Sequence, residues 1–133
     1  MILQLQNIDP QRIAAIDSNG DQLAYADITL LSKQICTNIP ERALCFLLVE
    51  NNIGGIAWTM SMLESQQLVP LILNVKTENT LYQQLLDTYH PSYICAHSHI
   101  TLKGEIIISQ FGYQLCKVSN NHCVLHPELS HLL

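Results

Sequence analysis

Charge is the scarcest ingredient of this chain. Only 13% of its residues are Asp, Glu, Lys or Arg, well below the roughly 25% usual for a globular domain. The charge present has the wrong sign for a polyanion: six Lys plus Arg against eleven Asp plus Glu leave a net −5, which argues against nucleic acid and anionic membranes as partners. Long apolar runs are missing too, since none approaches the ~18 residues of a membrane span. Metal and redox signatures are equally thin, with no C-x-x-C and five scattered cysteines. Met1-Ile2-Leu3-Gln4 has neither the basic start nor the apolar segment of a signal peptide, so the thiols are expected in the reducing cytoplasm. With no repeat, low-complexity tract or linker, the 133 residues read as a single domain, long enough for a real core.

What is present is hydrophobic patterning. Leu44 to Val49 is an apolar run too short for a helix and bounded by Glu50-Asn51-Asn52, which reads as a strand buried on both faces; Val69 to Leu73 reads likewise. The residues between them suffice for a crossover helix, so the two strands should be parallel neighbours with a right-handed connection. Upstream, Arg12 to Ile16, the turn Asp17-Ser18-Asn19-Gly20 and Gln22-Leu23-Ala24 read as a β-hairpin. Tyr25, Ile28, Leu31, Ile35 and Ile39 then mark one face of a helix that stops before Pro40, with Asp27 in its first turn.

In the central stretch Asn51 or Asn52 can cap the second helix, whose Ile53, Ile56, Ala57, Met60 and Leu63 are expected to face the sheet. Thr77 can cap a third helix carrying Leu81, Leu85, Leu86 and Tyr89 and ended by His90-Pro91, before a third parallel strand from Ser92 to Ala96. Two short β-rich runs follow, Glu105 to Ser109 and Tyr113 to Val118. The fold class is therefore α/β, a mostly parallel sheet flanked by helices with an N-terminal β-hairpin.

Few residues invite chemistry. Gly54-Gly55 at a strand-to-helix turn could serve either close packing or an anion site, but neither G-x-G-x-x-G nor G-x-x-x-x-G-K-[ST] is present, which favours packing. On a strand Cys95, His97 and His99 would share one face, and His122, Cys123 and His126 form a second loose group; both are weighed as zinc sites against buried Cys and loop His without metal. A Cys nucleophile lacks a strand-turn-helix elbow to display it. Asp17 and Asp21 flank a turn, Glu50, Glu64 and Asp87 are isolated, and Tyr25 and Trp58 fall at helical spacing among core residues. No catalytic, cofactor-binding or metal-binding residue is assigned.

Several stretches nevertheless resemble, in order and spacing, the N-terminal end of the acyl-adenylate-forming (AMP-binding) enzymes: acyl-CoA synthetases, aryl-CoA ligases and the adenylation domains of nonribosomal peptide synthetases. Arg12 to Asp17 followed by Gly20 looks like the family's opening hairpin, and Leu23-Ala24-Tyr25-Ala26-Asp27-Ile28 is similar to its Leu-Thr-Tyr-x-Glu-Leu. Leu44 to Val49 with Asn51-Asn52 stands where the family has a strand ending in an Asn-containing turn. Met62 to Leu71 resembles its Leu-Lys-Ala-Gly-x-x-x-x-Pro-Leu, closest at Val69-Pro70-Leu71. Departures are Ala24 for the usual Thr or Ser cap, at a cost of about 1 kcal/mol, Ser65-Gln66 for Ala-Gly, and Lys76 where the family often has Pro and polar residues.

The resemblance implies a whole enzyme that uses ATP and Mg2+ to turn a carboxylate into an acyl-adenylate and passes it to the thiol of CoA or a carrier protein. In the family, a segment similar to Pro127 to Leu133 runs into the Thr/Ser/Gly-rich loop with Pro-Lys that holds the ATP phosphates. These residues are accordingly expected to be a truncated N-terminal piece of the large domain, a scaffold inactive alone, that binds no cofactor and self-associates through the surface the missing part covers. The alternative is a free-standing α/β module that binds a protein or small ligand.

Overall fold

A computed structural model describes residues 12–16, 20–77, 79–100, 102 and 104–118. The expected hairpin is there: β1 (Ile13–Ile16) pairs antiparallel with β2 (Gln22–Ala24). Helix α1 (Tyr25–Asn38) follows directly, with Ala24 at its N-cap. An Ala methyl cannot accept the orphan N–H groups there, but the Asp27 carboxylate accepts from the Ala24 N–H at 2.9 Å, which supplies one arm of a capping box. The helix buries Ile28, Leu31, Ser32 and Ile35 and closes with the Ile39 N–H on the Ile35 carbonyl, just ahead of Pro40.

Strand β3 (Ala43–Val49), helix α2 (Ile53–Ser65) and strand β4 (Leu68–Asn74) make the strand–helix–strand unit. Leu44 lies beside Val69 and Phe46 beside Leu71 in unbroken parallel register. Helix α3 (Asn79–Tyr89) leads to β5 (Tyr93–His97), parallel to β3 on its other side. Last come β6 (Glu105–Gln110) and β7 (Tyr113–Lys117), and the strand order is β4-β3-β5-β7-β6. The sheet is thus mixed and not mostly parallel as expected, with β7 antiparallel to both β5 and β6. The cause is local: Phe111 and Gly112 join β6 to β7 with φ of 57° and 77°. Two residues of positive φ make a primed hairpin turn, which can only return the chain antiparallel.

Successive strand residues point to opposite faces, and each face has its own core. Leu31, Ile35 and Ile39 from the first helix region, with Trp58 and Met62 of α2, pack on Cys45, Leu47, Cys95 and Leu115. Tyr82 and Leu86 of α3 pack on Phe46, Leu48, Ile94 and Ala96. This three-layer arrangement follows from handedness. The crossover from β3 through α2 steps one way to β4, and the crossover through α3 steps back past β3 to β5, so two right-handed connections put α2 and α3 on opposite faces.

Three expectations about faces need correction. Helix α2 buries Gly54, Ala57, Trp58, Ser61 and Met62, whereas Ile56 is 44% exposed. The helix is apolar nearly all round, so periodicity alone could not select the stripe that fits against α1 and the sheet. Helix α3 turns Tyr82 and Leu86 inward and leaves Leu81 and Tyr89 outside. Its start also differs, because Thr77 is held in a turn by the Asn74 carbonyl and the helix begins at Asn79. Strand β4 is an edge and not a doubly covered strand: Val69 and Ile72 are exposed, and Pro70, with no N–H to give, is tolerated there. Among the described residues no helix is long and apolar enough to cross a membrane. Asp17, the group His122, Cys123 and His126, and Pro127 to Leu133 lie outside the described residues.

Candidate functional site

The strand order singles out one place. The chain leaves β3 toward β4 and leaves β5 toward β6 and β7, in opposite directions. In sheets of this kind a crevice opens beyond the carboxyl ends of the two strands where the winding reverses, and ligands bind there. Here that end gathers Glu50, Asn51 and Asn52 after β3, His97, Ser98 and His99 at the end of β5, and the Phe111-Gly112 turn before Tyr113. A cleft of about 370 Å3 opens at this end, lined by Asn52, Ile53, Gly54, His97 and Phe111 together with Asp21 and Gln22 of the hairpin.

Tyr113 is the keystone of this end. Its side chain is fully buried, and its hydroxyl donates to Asn52 Oδ1 at 2.7 Å while accepting from the Glu50 N–H at 3.1 Å. Burial pushes the Tyr113 hydroxyl up from its ordinary 10.0, so it remains a proton donor at neutral pH. The same Asn52 Oδ1 accepts from the Gly55 N–H at 3.0 Å, so one oxygen caps α2 and ties it to β7. The pair Gly54-Gly55 is explained by this joint. A Cβ on Gly54 would stand 2.4 Å from the Tyr113 ring and 2.5 Å from the Phe111 carbonyl oxygen, and one on Gly55 would stand 2.8 Å from the Glu50 carbonyl oxygen. The glycines let the helix start approach β7, which is the packing role weighed from the sequence.

Around that joint sits a cluster of ionisable side chains. The His99 Nε2 and Glu50 Oε2 atoms are 2.5 Å apart. The His97 ring lies edge-on to Tyr113, with centroids 5.5 Å apart, and 4.5 Å from the His99 ring. One donor atom from each of Glu50, His97 and His99 lies within 4.8 Å of the others. Glu50 and His97 are half-buried and His99 is exposed.

The structure therefore brings together His97 and His99, as the sequence suggested, but puts Glu50 with them in place of Cys95. Cys95 points into the α1/α2 core and is fully buried, as is Cys45. Burial pushes both thiols well above their ordinary 9.0, and a protonated, enclosed thiol is neither nucleophile nor ligand. Glu50, isolated in the sequence, and Tyr113, read as an ordinary strand residue, both belong to this end. Glu50 directly follows β3 and His97 ends β5, the strand ends that the switch-point rule names once the strand order is known.

The fold and site define a three-layer α/β protein with a polar cleft at the topological switch point of its sheet. No family model matches the sequence, and no curated protein or solved structure is significantly similar to it.

Proposed function

We propose that these residues are a scaffold segment from the N-terminal part of an AMP-forming carboxylate–thiol ligase. In this reading the whole enzyme takes ATP and Mg2+, activates a carboxylate as its acyl-adenylate and passes the acyl group to CoA or a carrier-protein thiol. The observation that carries the reading is the packing of the stretches that bear the resemblance. Arg12 to Asp17 contains β1, Leu23 to Ile28 joins β2 to α1, and Leu44 to Asn52 spans β3 and the α2 cap. Val69-Pro70-Leu71 lies in register beside Leu44-Cys45-Phe46. Stretches far apart in the chain thus form one contiguous unit, the arrangement a shared scaffold requires. The chemistry itself would reside in residues beyond this segment, because phosphate transfer needs clustered N–H groups and a cation near the reacting oxygen.

Reading the coding sequence past Leu133 tests this. The expected continuation is a Thr/Ser/Gly-rich loop ending in Pro-Lys, and the protein so encoded is expected to catalyse carboxylate-dependent ATP–pyrophosphate exchange. A stop codon directly after Leu133, or exchange by residues 1–133 alone, overturns the proposal.

The switch-point cleft favours a second reading, a free-standing module that binds a small ligand. The exposed Ile56 and Ile72 line a shallow groove of about 290 Å3 between α2 and β4, and such surface also suits contact with another protein. The stop codon that sinks the ligase supports this module.

A further inference from the structure

The three donors at the carboxyl ends of β3 and β5 are arranged as a metal site. We propose that Glu50, His97 and His99 bind one divalent first-row transition metal of the Zn2+ class. The inference stands on the geometry of these side chains and is independent of the ligase reading.

Three features carry it. The first is the donor set: two imidazoles with one carboxylate suit Zn2+, Co2+ or Ni2+, whereas Mg2+ and Ca2+ take oxygen donors. The second is spacing. The donor atoms already lie within 4.8 Å of one another, and tetrahedral bonds of about 2.1 Å require them about 3.5 Å apart. Only His99 is exposed, and rotation of its side chain supplies the adjustment. The third is support from behind, which separates a built site from a chance cluster. The Tyr113 hydroxyl holds the Glu50 backbone, and the Tyr113 ring packs edge-on against His97. Gly112 lies close to the same ring, since a Cβ on it would stand 3.5 Å from His97 Nε2. The intervening turn is fixed by the Ser98 N–H on the Gly112 carbonyl at 2.7 Å and the Ile100 N–H on the His97 carbonyl at 2.9 Å.

Metal binding replaces two contacts. The proton shared between His99 Nε2 and Glu50 Oε2 leaves to solvent as the metal takes both lone pairs. If the metal takes His97 Nδ1, it displaces the His99 N–H, which that nitrogen accepts at a long 3.2 Å. Three protein donors leave a fourth tetrahedral position open to water or to an oxygen of a ligand in the adjoining cleft.

The test is titration of the whole chain with Zn2+ in chelator-free buffer, followed by calorimetry, with Co2+ as the spectroscopic probe. One saturable site is expected, and its Co2+ form should show tetrahedral d–d bands without a thiolate charge-transfer band. His99→Ala and Glu50→Gln should each weaken Zn2+ binding by at least about tenfold, while His90→Ala at an exposed position elsewhere should not change it. Far-UV circular dichroism checks that the variants are folded, as expected for changes at half-buried or exposed positions. The proposal is overturned if the chain takes up no stoichiometric Zn2+, so that Glu50 and His99 form an ion pair only. It is equally overturned if the double variant Glu50→Gln, His99→Ala binds as tightly as the parent chain while Cys123→Ser, His126→Ala loses the metal.

Discussion

The two faces of the central sheet are built from the same strands but are held differently. On the α1/α2 face, directional contacts add to burial. The indole N–H of Trp58 donates to the Gln110 carbonyl at 3.0 Å, and the buried Ser61 hydroxyl donates to the Ile28 carbonyl at 3.2 Å. Gly54 lets α2 close on Tyr113. On the α3 face the packing described is apolar: Tyr82 meets Phe46 edge-on with centroids 6.1 Å apart, and Leu86 belongs to the same cluster. The first face specifies a single position for its helices, because a buried donor without its acceptor costs free energy. The second relies on volume, which tolerates small shifts of the helix.

The largest effect expected from this contrast is at Trp58. Replacing it with Ala removes a fully buried ring and its hydrogen bond to the Gln110 carbonyl, so chemical denaturation should show a loss of about 3–5 kcal/mol. Leu86→Ala on the α3 face should cost less, about 2–3 kcal/mol. Equal losses would mean that the two faces do not differ in the way described.

Next comes Gly54→Ala. Helix propensity alone favours Ala by about 1 kcal/mol, but the new methyl meets the Tyr113 ring and the Phe111 backbone, and overpacking of that kind costs about 1–3 kcal/mol. Because one of the obstructing atoms is main chain, the clash should win and the melting temperature should fall. A rise would show that α2 can move away from β7.

Tyr113→Phe keeps the ring and deletes the hydroxyl that joins Asn52 to Glu50. The expected cost is about 1–2 kcal/mol, and loss of slow hydrogen exchange at the Glu50 amide is the local readout.

Alkaline pH should bring the smallest change at first. The buried Cys45 and Cys95 thiols and the Tyr113 hydroxyl all have folded-state pKa values raised above their ordinary 9.0 and 10.0 by burial. Each favours its neutral form in the fold, so its stabilisation is complete below the ordinary value and is lost as pH rises through the raised one. Thermal melts should therefore be flat from pH 7 to about 8.5 and decline above about pH 9. Cys95→Ala should lessen that slope.

Much of the element order was legible because short-range patterns set it. The hairpin, the helix that stops before Pro40 and the parallel pairing of Leu44 to Val49 with Val69 to Leu73 all come from runs, turns and breakers within a few residues. The buried stripes of α2 and α3 were less legible. In α2, apolar residues occupy almost every position, so the partners chose Trp58 and Met62 over Ile56. In α3 the choice of Tyr82 over Leu81 was likewise made by the ring of Phe46 opposite it.

The sequence by itself determined the α/β class and the order of strands and helices. These are consequences of local sterics and of which side chains avoid water. The tertiary structure alone decided that β7 pairs with β5, that β4 is an edge, and that Glu50 meets His97 and His99 while Cys95 turns into the core. Those outcomes depend on strand order, and strand order brings together residues 49 positions apart through pairings that no local pattern encodes.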